Sequence, residues 1–250
     1  MVILPFYRFL IGTRENDRIK YAFLTHGNRL VPAGIPFRFP AYHQASRTIY
    51  GLWNQNGKEV IGQTSIQPPY SDITPLFSHS DRRISHIAVS PDNLKIAFLA
   101  TDETTQETQL RVIAREEFGW FPLPFIRLPA ANSPICFCTS NIVMYTGVTK
   151  QLNAVRLTKP AQMTEINPQG DCPVYSIETN FRAFKYNDKV LFYNKLYTEI
   201  DVKFQPLSFS KDGQTLFLAD KKTLYAYNPA DKDYAAIFQS EEPIVFVAEL

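Results

Sequence analysis

Four histidines, His26, His43, His79 and His86, are the chain's only imidazoles, and none sits in H-E-x-x-H or beside a closely spaced ligand partner. Acid–base work would need one of them held against a carboxylate. His86 can face the partner sheet or a central channel, with Asp81 at its strand entrance, and a buried or loop role is the expectation. Ser78, His79, Ser80 and Asp81 supply hydroxyl, imidazole and carboxylate in one short loop. A catalytic triad needs convergence in space, which sequence neighbours in such a loop do not achieve. Glu103, Glu107, Glu116 and Glu117 read as solvated loop charge, although carboxylates meeting at a channel mouth would make an acidic site, with or without a metal ion.

The three cysteines are an odd count. Cys136 and Cys138 flank Phe137, so a strand points both to one face, and such close neighbours rarely form a normal bridge. With Cys172 they would in principle suffice for a metal. No histidine accompanies them, and they read as core thiols of a reducing compartment. Neither G-x-G-x-x-G nor G-x-x-x-x-G-K-[ST] occurs, which leaves nucleotide binding without support. No catalytic, cofactor or metal residue is assigned.

Aromatic groups carry the better signal. Phe118, Trp120, Phe121 and Phe125 lie in EEFGWFPLPFIRLP between Arg115 and Arg127. Exposed, these six are anchors for a protein partner; otherwise the stretch is an outer strand packed between neighbouring sheets. Tyr42, His43, Tyr50 and Trp53 make a second patch, with Trp53 read as core.

The elements that must position these groups are strands. Of the 250 residues 45% are hydrophobic, enough for a core, and only 20% are charged, which excludes a disordered or coiled-coil chain. Nineteen Phe, 13 Tyr and 18 scattered Pro favour strands over helices. A net charge of +2 excludes a nucleic-acid binder on charge alone, although residues 1–60 hold eight Lys/Arg against three acidic groups. No apolar run approaches the roughly 18 residues of a membrane span. The start, MVILPFYRFLIGTREN, has no basic lead and no small-residue cleavage site, so it reads as a strand and the expected location is cytoplasmic.

ISHIAVSPDNLKIAFLA, residues 84–100, gives a strand, a Ser-Pro-Asp-Asn turn and a second strand. Gln109–Ile113 alternates as a third, and Trp120–Leu128 supplies a fourth, kept to an edge by Pro122 and Pro124. The grammar returns at Phe204–Phe209, Ser210-Lys211-Asp212-Gly213, Thr215–Ala219, Leu224–Tyr227 and Tyr234–Phe238. Asn56-Gly57 marks another hairpin. First strands begin near residues 37, 87, 135, 174, 206 and 244, and wrapping the last spacing back to residue 37 divides the whole chain into six units.

That period suits a single all-β domain over residues 1–250: a six-bladed propeller of mostly four-stranded antiparallel blades. Val2–Ile11 and Ile19–Leu24 would complete the blade begun by Pro243–Val247, and this pairing of the chain ends closes the ring. A β-sandwich, or five blades with a cap, is the competing architecture.

SPDNLKIAFLA and SKDGQTLFLAD resemble the repeats of the TolB-type β-propeller family, whose blades carry a Ser-Pro-Asp-Gly turn before a strand. Asn93 stands at the glycine site of one copy and Lys211 at the proline site of the other. The resemblance covers these two blades and implies a structural scaffold, with no activity or cofactor carried across. The leading expectation is therefore a non-enzymatic protein-interaction or scaffold module using one rim or an exposed aromatic patch. A channel hydrolase or lyase and a carbohydrate-binding lectin are the alternatives, and a small-molecule ligand stays open.

Overall fold

The computed structural model describes residues 7–16, 18–66, 72–79, 81–124, 126–158, 160–187, 189–200 and 204–250. The chain begins with β1 (Tyr7–Glu15), β2 (Arg18–Thr25) and β3 (Leu30–Ala33). Blade II follows as β4 (Arg38–His43), β5 (Thr48–Gln55), β6 (Lys58–Ser65) and β7 (Thr74–Ser78). Blade III is β8 (Arg82–Val89), β9 (Lys95–Asp102), β10 (Thr108–Glu116), β11 (Gly119–Pro122) and β12 (Leu128–Pro129). Blade IV comprises β13 (Cys136–Thr139), β14 (Ile142–Thr146), β15 (Leu152–Arg156) and β16 (Gln162–Asn167). Blade V comprises β17 (Asp171–Tyr175), β18 (Arg182–Tyr186), β19 (Lys189–Asn194) and β20 (Leu196–Ile200). Blade VI is β21 (Gln205–Phe209), β22 (Leu216–Asp220), β23 (Thr223–Asn228) and β24 (Asp233–Gln239).

The last strand, β25 (Ile244–Glu249), pairs antiparallel with β1 and becomes the first strand of blade I, in the order β25-β1-β2-β3. The six sheets form a six-bladed propeller closed by this pairing, as the spacing of first strands implied. No helix among the described residues is long and apolar enough to cross a membrane.

Each blade is sandwiched between two others, so its inner strands must be apolar on both faces. In β9, Ile96, Phe98 and Ala100 enter the core shared with blade II, while Ala97 and Leu99 enter the core shared with blade IV. In β22, Leu216 and Leu218 face blade V, while Phe217 and Ala219 face blade I. This is why KIAFLA and LFLA read as unbroken apolar runs and not as alternating strands. Every seam has its own cluster of buried side chains. A buried Leu, Ile or Phe there stabilises the ring by roughly 1.5–3 kcal/mol.

The two matching turns have the same hydrogen bonds. Ser90 Oγ donates to Asp92 Oδ1 (2.6 Å), which also accepts from the Leu94 amide (3.0 Å), and the Lys95 amide donates to Ser90 Oγ (2.8 Å). Ser210, Asp212, Gln214 and Thr215 repeat this at 2.6, 3.0 and 2.9 Å. Asn93 and Gly213 both take left-handed backbone, at φ 60° and 70°, a region that asparagine and glycine tolerate.

Two expectations change. The fourth strand of blade III is not continuous over Trp120–Leu128: β11 and β12 each pair with β10, and the chain departs from it between them. Pro122 and Pro124 supply no amide to the ladder, which breaks the strand there. Of the stretch Val2–Ile11, residues 2–6 lie outside the described residues, and β1 extends beyond Ile11 to Glu15.

Candidate functional site

Blade III carries most of the residues singled out as partner contacts. In β10, Gln109, Arg111, Ile113 and Arg115 alternate onto the face that looks toward blade II, where Ile113 is buried in the shared core. The ladder sets Arg115 opposite Trp120 and Ala114 opposite Phe121, so Trp120 and Phe121 point to opposite faces. Trp120 is half-buried and packs on the core between blades II and III. Phe121 is 44% exposed, and Phe118, in the turn between β10 and β11, is 87% exposed. Arg115 and Arg127 are exposed, and Phe125 lies outside the described residues. Leu94, whose carbonyl accepts from the Arg115 amide (2.8 Å), adds a further exposed apolar side chain (47%) at the same corner.

At the opposite end of β10 the structure assembles a group that the pattern of residue types did not reveal. Arg111 Nη1 donates to His79 Nε2 (2.8 Å) and Nη2 donates to Gln109 Oε1 (3.3 Å). The Asp81 amide donates to His79 Nδ1 (3.3 Å), so each ring nitrogen faces an N–H donor. The β10–β12 register, continued by one residue, brings Arg127 across from Arg111. Burial, joined by the charge of Arg127 and Arg82, pulls Arg111 below the usual guanidinium value. His79 is lowered by burial and by Arg111, against an opposing pull from Asp81, with Arg82 and Arg127 lowering it further. Arg82 itself is paired with Asp102 (3.4 Å). Signal for the cluster existed in R-V-I-A-R and R-L-P, but only strand pairing across the Pro-rich break shows that Arg111 and Arg127 meet.

The channel holds a second polar group. All six innermost strands carry the surplus residues of a β-bulge against their neighbour. Three of these bulges place Phe39, His86 and Cys172 at φ 50°, 46° and 50°, a conformation that costs bulky residues energy. His86 packs against Phe39 of blade II (centroids 5.0 Å apart). Burial above all lowers its pKa to about 4; Asp171 of blade V opposes this, Arg14 of blade I assists it, and a hydrogen bond with Asn132 opposes it. Groups from this many blades surround one imidazole only near the ring axis, so His86 belongs to the channel and not beside Asp81. Asp171 is committed to Ser133, to Thr146 Oγ1 (3.3 Å) and to the Cys172 amide (2.7 Å). Burial and the adjacent Asp171 push the Cys172 thiol up to about 12, which removes its nucleophilic form near neutral pH.

The other candidates are accounted for by packing. Cys136 and Cys138 join the core between blades IV and V, where burial and their mutual contact push the Cys136 thiol up. Tyr50 is fully buried and His43 nearly so, while Tyr42 and Trp53 pack on the core between blades I and II, so the second aromatic patch is not a surface. Among the described residues no group of three or more His, Cys, Asp or Glu could hold a metal ion.

Neither a family model nor a curated protein matches the chain. Solved structures do. The chain is similar to one in the crystal structure of a nidogen/laminin complex, with a TM-score of 0.66 at 12% identity, over 97% of both chains. It is similar to a protein from Lactobacillus plantarum, with a TM-score of 0.58 at 12% identity, over 98% of this chain and 99% of that one. It also matches prolyl oligopeptidase B from Galerina marginata at a TM-score of 0.59 and 10% identity, over 94% of this chain and 41% of the enzyme. At these identities the likeness shows the fold: a six-bladed propeller.

Proposed function

We propose that the propeller is a protein-binding module whose contact surface includes the outer corner of blade III. The observation that carries this reading is Phe118, a phenylalanine left 87% exposed at a turn, with Phe121 and Leu94 exposed on the same blade. An aromatic side chain gains most from water exclusion, and an aromatic anchor flanked by arginine is the composition of interface hot spots. Arg115 supplies that flank. Similarity to a chain found in a protein–protein complex agrees with the reading. Kinship with TolB-type propellers is part of the proposal, supported by the two turns with matched hydrogen bonds. Three free thiols favour a reducing compartment such as the cytoplasm.

The test is affinity capture from the source organism's lysate with the native protein and a Phe118→Ser/Phe121→Ser variant. Trp120 is left intact because it packs between blades and its loss would confound binding with stability. The variant is expected to keep its far-UV spectrum and melting temperature and to lose a stoichiometric partner that the native protein retains. A partner held equally by both forms moves the contact surface elsewhere, and no partner under gentle conditions counts against the module.

A further inference from the structure

Arg111 and Arg127 are cations without a counter-charge. Among the described residues, neither takes part in an ion pair. The carboxylates nearby are otherwise engaged: Asp102 holds Arg82 and the amides of Thr104 and Thr105, and Glu107 accepts from Gln109 Nε2 (3.3 Å). Asp81 acts on His79. Arg111 Nε is buried with no hydrogen-bond partner, which a folded protein tolerates only at a cost in stability. Like charges opposed across an antiparallel pair add to that cost. The fold therefore sets two arginines across from each other without a counter-charge, at the rim of the seam between blades II and III.

We propose that Arg111 and Arg127 form a receptor for a phosphoryl group carried on a side chain of the partner protein. The inference rests on the protein-binding reading and deepens it. Two uncompensated guanidinium charges match a phosphoryl group, which carries about −1.5 to −2 at neutral pH, whereas a carboxylate leaves one charge unbalanced. Guanidinium forks bind such tetrahedral oxyanions through paired N–H donors. Release of the long Gln109 contact frees the Nε–Nη2 edge of Arg111 for this, while Nη1 stays anchored on His79. The protein-borne source follows from what adjoins the pair. The same face of β10 ends at the exposed Arg115, and the turn beyond it carries the exposed Phe118, where the proposed partner docks.

The experiment titrates the ¹⁵N-labelled native protein, observed at its arginine Nε–H resonances, with four probes. These are a degenerate phosphoserine peptide pool, a phosphotyrosine pool, both pools after dephosphorylation, and inorganic phosphate. One phosphorylated pool is expected to shift Arg111 and Arg127, to bind at least about tenfold more tightly than inorganic phosphate, and to lose its effect when dephosphorylated. Arg111→Gln and Arg127→Gln should each weaken binding about tenfold or more; Arg127 is exposed, so its variant stays interpretable if the Arg111 variant does not fold. No shift at either arginine, or equal affinity for inorganic phosphate, overturns the proposal. A partner captured through Phe118 that ignores both phosphatase treatment and Arg127→Gln overturns it too, while leaving the protein-binding module in place.

Discussion

The two repeated turns differ from each other at single residues, and each difference has a structural reason. Asn93 replaces glycine at a left-handed position and uses its side chain: Oδ1 accepts from Tyr50 OH of blade II (2.6 Å). Lys211 replaces proline and keeps an amide, which donates to Glu249 Oε2 of blade I (2.8 Å); proline has no such donor. In the first turn Pro91 contributes only its carbonyl, which is 2.8 Å from His43 Nε2. Each substitution thus ties a turn to a neighbouring blade. Asn93→Gly, which places the residue of the second turn in the first, is expected to cost about 1 kcal/mol, because the buried Tyr50 hydroxyl loses its acceptor. In a Tyr50→Phe background the same change should cost almost nothing. Urea denaturation of the four proteins measures the coupling, and an equal cost in both backgrounds would refute the assignment.

The inner strands and their bulges set the acid response of the fold. His86 stands at the bulge of β8, half-buried at the channel, and desolvation lowers its pKa to about 4 against an ordinary value of 6.5. The unfolded chain therefore binds a proton at this residue well before the folded protein does. Stability is complete above pH about 6.5 and falls as pH drops toward about 4, by roughly 3 kcal/mol from this group. His79, also lowered, contributes in the same direction. His86→Asn, a residue tolerant of left-handed backbone, should flatten the decline of the urea midpoint across that window. An unchanged slope would show that the imidazole is not held neutral. Asp92 and Asp212 act at lower pH. Burial alone would raise Asp92, but the Ser90 hydroxyl, the Leu94 amide, Ser140 and Lys95 outweigh it and hold it below the usual value. Asp212 is held down by Ser210 and the Gln214 amide.

In the whole molecule, stability depends on closing the ring with β25. Ile244 and Val247 enter the core with blade VI, Ala248 enters the core with blade II, and the Val247 carbonyl accepts from Ser208 Oγ (3.1 Å). Deleting residues 244–250 removes these contacts and uncovers the edge of β1. Loss of Ile244 and Val247 alone amounts to roughly 1.5–3 kcal/mol each. The truncated chain is expected to lose its single cooperative melt, and a synthetic peptide of residues 243–250 added in trans should restore part of it. Melting followed by circular dichroism decides this, and a truncated chain that melts like the intact one would remove β25 from the role given to it.

The six-blade period, the turn residues and the paired termini were legible in the sequence, because propensity and spacing are local and each blade repeats them. The exposure of Phe118 was legible as one of two readings, since a Gly-containing turn can leave a side chain in water or fold it over a seam. Trp120 was not separable from Phe121: adjacent strand residues face opposite ways, and the register alone decides which face meets blade II. Nor could spacing place Arg127 across from Arg111, because the intervening prolines break the strand and only the resumed pairing of β12 with β10, continued by one residue, sets the two opposite each other. His86 likewise joined Asp171, Asn132 and Phe39 only when the ring closed. Local chemistry wrote the blades; long-range register and ring closure determined which charges and which aromatic side chains meet.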